Sequence, residues 1–169
     1  MDIYVKQLEK YLHDHSEDEN YDYLKELISA SGITIDQQTE LNWRLLHMID
    51  LIVNQLPSSD YKRKKLTLEG ADYVDSFIAI SPDHFQTVKW SAALTGLSVE
   101  YVDFAKKPFR GVKFKQLLDK ALSMEPDDLN LLHMRGRYNY EVTQVPWIQK
   151  KAARLIFGAP IEVRPIVFT

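Results

Sequence analysis

Two proline-centred breaks, Ser81-Pro82-Asp83 and Glu125-Pro126-Asp127, stand 44 residues apart in this chain, and long runs with helical spacing flank both. Each break follows a run that closes apolar-x-apolar, Ile78-x-Ile80 in one case and Leu122-x-Met124 in the other. Each precedes a run with small residues near its middle, Ala92 and Ala93 in the first and Gly136 in the second. A single pair of amphipathic helices cannot bury its apolar face, whereas stacked pairs share a core. The recurrence therefore points to helix pairs in series. Residues 127–158 read as one such pair, with a tight turn at Val145-Pro146. A glycine inside a helix costs about 1 kcal/mol relative to alanine, so Gly136 implies close approach of a neighbouring helix.

Taken in order, the apolar periodicity predicts helices over 3–13 and 21–30, with the acidic run 16–20 interrupting them and Ser31-Gly32 closing the second. Thr34-x-x-Gln37 has the spacing of a capping box, with Asp36 as an alternative cap. The helix it opens runs to about Leu56, on a stripe of Leu41, Leu45, Met48, Ile49, Ile52, Val53 and Leu56, with Trp43 beside it. The turn Pro57-Ser58-Ser59-Asp60 offers caps for a helix over 61–80. Ser81 and Pro82 are expected to start a helix over 83–106, as cap and first-turn proline. Pro108 and Gly111 are expected to break it before a helix over 112–124. The total is seven or eight helices.

Composition removes several function classes. The chain is 45% hydrophobic and 27% charged and has no cysteine, which excludes a disulfide framework and a thiol nucleophile. No stretch approaches the roughly 20 apolar residues of a membrane span, and the first ten residues hold no apolar signal core. A cytoplasmic location is the expectation. His13, His15, His47, His84 and His133 are scattered without metal-ligand spacing. There is no glycine-rich phosphate loop and no G-x-S-x-G, and Asp127-Asp128 read as the start of a helix, where their charge suits the dipole. The chain is expected to be no enzyme and to use no cofactor or metal. The overall charge is acidic and no readout motif is present, so no nucleic-acid partner is expected.

Charge is unevenly distributed. The net charge is −3, yet residues 1–60 sum to −8 and residues 61–169 to +5. Three basic clusters carry the excess. Lys62, Arg63, Lys64 and Lys65 lie in the first turns of a helix, where each cation near the terminus opposes the macrodipole by roughly 0.3–1 kcal/mol. Lys106, Lys107, Arg110, Lys113 and Lys115 surround an inter-helix turn. Lys150, Lys151 and Arg154 form the third, with Arg135 and Arg137 in the paired helix. Arg135, Arg137, Tyr138 and Tyr140 are candidates to line a concave groove that anchors a peptide.

The series Phe114, Leu118, Ala121, Pro126 is similar to the second helix and closing proline of a tetratricopeptide repeat. Leu132, Gly136 and Tyr140 follow the first helix, with the tyrosine one residue late. Trp43-x-x-Leu46 resembles an earlier repeat opening, with His47 where a small residue is usual. The period exceeds the ~34 residues of that repeat. More specifically, Leu132-His133-Met134-Arg135-Gly136-Arg137-Tyr138-Asn139-Tyr140-Glu141-Val142, then Pro146-Trp147-Ile148-Gln149-Lys150-Lys151-Ala152-Ala153 and Phe157-Gly158-Ala159-Pro160, resembles the regulator of microtubule dynamics family. Trp43-Arg44-Leu45 and the span 65–90, ending in Lys89-Trp90, agree with it. The resemblance covers roughly residues 36–160.

The helical pattern, with that resemblance beside it, points to an all-α domain of tetratricopeptide-like antiparallel helix pairs stacked as a short solenoid over 1–160, with acidic helices in 1–35, repeat helices in 36–160 and an extended tail over 161–169. The resemblance implies association with microtubules or the spindle in some members, and anchoring at membrane contacts through an N-terminal membrane segment in others. The closer analogy is a soluble cytoskeletal form at the spindle or spindle pole, acting on microtubule dynamics or chromosome segregation. Tubulin has an acidic surface and acidic tails, so the basic clusters are its candidate contacts, and binding should weaken with salt. The alternative is an adaptor with a protein or peptide ligand in its groove; a lipid-binding module is a third. The tail 161–169 departs from the family, and an uncapped apolar face there is expected to be covered by the tail or by a second copy of the chain.

Overall fold

The computed structural model describes residues 3–144. They form an all-α, solenoid-like series: α1 (Ile3–Asp14), α2 (Glu17–Ser29), α3 (Ile35–Gln55), α4 (Tyr61–Ile80), α5 (Phe85–Ser98), a 3₁₀ turn (Phe104–Lys106), α6 (Lys107–Met124) and α7 (Leu129–Gln144). Each helix packs on the next, and α3 also packs on α5 across the α3–α4 hairpin. This stacking is what a helix-pair repeat requires.

The acidic run 16–20 does not interrupt a helix; it starts one. Ser16 Oγ accepts from the Glu19 N–H, and the Ser16 N–H donates to Glu19 Oε2 at 3.0 Å. Glu17, Asp18 and Glu19 thus occupy the first turn of α2, where negative charge meets the positive end of the dipole. The Ser16 hydroxyl, which donates to Glu19 Oε2 at 2.7 Å, and then the Ser16 N–H hold the Glu19 carboxyl below its usual range. Asn20, buried behind them, donates to the Leu12 and His15 carbonyls at the end of α1. Gly32 adopts φ of 85°, the left-handed conformation that glycine takes without strain, and turns the chain towards α3.

Thr34 and Gln37 form the expected capping box, so Asp36 lies inside the first turn and does not cap. Asp60 caps α4 through the Lys62 and Arg63 N–H groups, and α4 has the predicted limits. The next junction differs. Ser81 closes α4, its N–H bonded to the Phe77 carbonyl at 3.1 Å, and His84 caps α5 by accepting from the Thr87 N–H through Nδ1. Ser81 therefore belongs to the helix before Pro82.

Helix α5 stops at Ser98, well short of 106. The turn after it lets Tyr101 donate to the Ser58 carbonyl and accept from Arg63 Nε at 2.9 Å. Pro108 and Gly111 do not break a helix but lie in the first turns of α6. Proline's missing N–H would be unpaired there in any case, so its cost is small.

Two contiguous cores result. Leu24, Leu41, Leu45, Leu46, Ile49, Val53 and Leu94 anchor the first, between α1 and α5. Val88, Ala92, Phe114, Leu118, Ala121 and Leu131 anchor the second, between α5 and α7. Two glycines permit the close approaches. A Cβ at Gly70 would lie 2.6 Å from Leu94 Cδ1, and one at Gly96 would lie 2.9 Å from the Phe114 ring. At Gly136, among the described residues, nothing comes within 4 Å of such a carbon. The expected turn at Val145-Pro146, the helix paired with α7, and the tail 161–169 with its cover lie outside the described residues.

Candidate interaction surfaces

The first basic cluster divides in two. Lys62 Nζ binds both carboxylate oxygens of Asp18 on α2, at 2.6 and 2.8 Å. Arg63 sits at the start of its own helix but at the end of α3, where it donates to the Val53 and Leu56 carbonyls at 2.8 and 2.9 Å. Its cation satisfies the carbonyls that α3 leaves open and meets the negative end of that dipole. Lys64 and Lys65 are exposed, with no ion pair among the described residues.

The second cluster is partly neutralised by acids on α4. Lys113 pairs with Asp75 at 2.7 Å, Arg110 lies 3.5 Å from Asp72, and Lys115 pairs with Asp119 on its own helix. Lys106 has only a loose 3.7 Å contact with exposed Asp103, and Lys107 has no ion pair among the described residues. The third cluster, Lys150, Lys151 and Arg154, lies outside the described residues.

The fold brings Lys64, Lys65 and Lys106 onto one face. A shallow trough along α4 is lined by Tyr61, Lys64, Lys65, Leu68, Glu69, Asp72 and Tyr73. A second, between α4 and α6, is lined by Ala71, Asp72, Asp75, Lys106, Phe109, Arg110 and Lys113. The two meet at Asp72. Tyr61, Phe104 and Phe109 are 79%, 71% and 54% exposed on or beside them. Glu69 accepts from Lys25, Tyr21 and Tyr73. Burial works against its negative charge, but those donors outweigh burial and hold its carboxyl below the usual range.

Of the groove candidates, Tyr138 packs edge-on against Phe114 in the second core. Arg135 is half-buried, and Arg137 and Tyr140 are exposed on α7.

Sequence reasoning missed a row of rings across α3 and α5. His47 stacks on Trp90 with ring centres 4.1 Å apart, and Trp43 continues the row at 6.4 Å. The indole N–H groups donate to Glu40 and Gln86. Arg44 lies over Trp43 and binds Glu40 and Glu9; Lys89 lies over Trp90 and binds Asp128 at 2.6 Å. Both cations are almost fully buried and fully paired. Burial, then the charges of Lys89 and Arg44, pushes the His47 pKa down. Burial pushes the Asp50 carboxyl up to about 6, against an Asn54 hydrogen bond and the cations Arg63 and Lys89. The residue pair Lys89-Trp90 was the available signal, since a lysine beside a tryptophan on a buried face needs a carboxylate.

Among the described residues, no group of three His, Asp or Glu side chains could hold a metal ion, and no helix is long and apolar enough to cross a membrane. The description "Regulator of microtubule dynamics protein 1-3" matches residues 5–163. The chain belongs to this family. The regulator of microtubule dynamics protein 1 of Caenorhabditis elegans is 32% identical over 119 residues, covering 70% of this chain and 52% of that protein. Protein 3 of Rattus norvegicus is 24% identical over 136 residues, covering 80% of this chain and 29% of that protein. Protein 2 of Mus musculus is 29% identical over 133 residues, covering 79% and 32%. The chain thus spans about half the length of the worm regulator and about a third of the mammalian ones.

Proposed function

We propose that this chain is a non-catalytic, tetratricopeptide-like interaction module that acts on microtubules, with the α4–α6 face as its contact. The names of its relatives support the microtubule part. The single observation that carries the face is its exposed cations, Lys64, Lys65 and the loosely paired Lys106, with half-buried Lys107 beside the last, among exposed aromatic rings. Tubulin, with its acidic surface, is the complementary partner. A place at the spindle or its poles, in the cytoplasm, and a part in chromosome segregation go with this reading.

A second reading has its own observation. The Trp43–His47–Trp90 row gives α3 and α5 an aromatic face of the kind that anchors a peptide, with microtubule association then indirect.

Co-sedimentation with polymerised microtubules across a salt series tests the first reading. Salt-sensitive binding is expected, because exposed charges are screened beyond roughly 8 Å at physiological ionic strength. Absence of binding at low salt would sink direct contact and favour the adaptor.

A further inference from the structure

Lys64, Lys65, Lys106 and Lys107 do not form a single patch. Lys64 and Lys65 stand near the beginning of α4, and Lys106, just before α6, lines the trough opposite Ala71, Asp72 and Asp75, with half-buried Lys107 next to it in the chain. Between the two ends the floor is Leu68, Ala71 and the Phe109 ring, and the cations of the middle, Arg110 and Lys113, are already matched by Asp72 and Asp75. From Tyr61 to Asp75 the helix rises about 21 Å at 1.5 Å per residue. An extended chain advances about 3.3 Å per residue, so roughly six residues span the trough. A folded acidic surface would meet such a face with its carboxylates spread over the whole area, including against the three acids along its middle, Glu69, Asp72 and Asp75. A slender chain with its charges at both ends avoids them.

We propose that the joined trough takes an extended acidic peptide segment of about six or seven residues, with carboxylates at its two ends and an apolar side chain between them. The inference rests on the reading of this face as the contact face. It adds that the face recognises a flexible acidic strand rather than a folded surface. The end carboxylates meet Lys64 and Lys65 on one side and Lys106 and Lys107 on the other, and the apolar residue lies against Leu68 and Phe109.

The probe is a fluorescein-labelled peptide with two glutamates at each end and a central phenylalanine between glycines, titrated with the full chain and read by anisotropy. Salt-sensitive binding is expected. It should weaken about tenfold in Lys64→Ser/Lys65→Ser and about as much in Lys106→Ser/Lys107→Ser. The pair Lys62→Ser/Lys120→Ser removes equal charge from lysines already matched by Asp18 and Asp83 and should leave affinity within about twofold. Replacing the central phenylalanine by glycine should weaken binding several-fold. Circular dichroism confirms that each variant keeps its helices.

Equal losses in the control pair would overturn the inference, since the contact would then be general charge attraction. So would vesicles of anionic lipid binding through the same four lysines while the peptide does not bind. Microtubules that co-sediment with a chain unable to bind the peptide would overturn the inference and leave the proposed function standing. A peptide that binds as described, with no microtubule co-sedimentation, would support the inference and remove the microtubule reading.

Discussion

The α3–α5 face and the α4–α6 face both set cations beside aromatic rings, and they use them in opposite ways. On the first, Arg44 and Lys89 are 6% and 7% exposed, lie over tryptophans and have carboxylate partners. On the second, Lys64 and Lys65 stand in solvent without a partner among the described residues. A buried cation deprived of its partner costs several kcal/mol, whereas an exposed one contributes about 0–1 kcal/mol. The same residue types therefore hold the fold together on one face and are available to a partner on the other. Pairing and burial separate the two roles; charge count alone does not.

The strongest challenge to this contrast is Lys89→Ala. Removing that cation leaves the Asp128 carboxylate half-desolvated and loosens the α5–α7 junction, so a loss of about 3 kcal/mol is expected in denaturant unfolding. The pH dependence of the same pair sharpens the test. Burial raises the Asp128 pKa, but the Lys89 ammonium and the Leu131 N–H outweigh burial and depress it. Its stabilisation is therefore present above the ordinary carboxylate range and fades as pH falls through the depressed folded value.

Asp50 behaves with the reverse sign. Its folded pKa of about 6 lies above the unfolded one, so the native state holds a proton that the unfolded chain releases between about pH 4 and 6. Stability falls as pH rises through that window. Asp50→Asn should stabilise the protein by about 3 kcal/mol at pH 7.5 and by almost nothing below pH 4, read from melts at both values. An unchanged difference across pH would mean that burial does not govern this carboxyl.

Gly96→Ala tests the close approach between the two cores. The added carbon collides with the buried Phe114 ring, and a net loss of about 1–2 kcal/mol is expected despite alanine's better helix propensity. The smallest effect belongs to the outer face. Lys62→Ser should change stability by less than about 0.5 kcal/mol, because both Lys62 and Asp18 are solvent-exposed.

Local signals in the sequence were dependable where neighbours supply the physics. The Thr34–Gln37 capping box, the limits of α4 and the left-handed Gly32 need only adjacent residues. The errors came where distant groups decide. Phe104 prolongs the apolar spacing of α5, yet the chain turns at Val99 and seats Tyr101 on Ser58 and Arg63. Pro108 and Gly111 look like a break but suit the opening turns of α6. Gly70 and Gly96 gained meaning only with Leu94 and Phe114 placed against them. The basic clusters were visible as runs. Which members are open was not, because Lys62 finds its acid on α2, and Arg110 and Lys113 find theirs on α4.

The most direct measurement joins both halves of the comparison in one variant, Lys64→Ser/Lys65→Ser/Lys106→Ser/Lys107→Ser, assayed for thermal unfolding and for microtubule co-sedimentation at low salt. An unchanged melting temperature and lost co-sedimentation are expected. A variant that melts like the parent and still pellets with microtubules would contradict the assignment of the α4–α6 face.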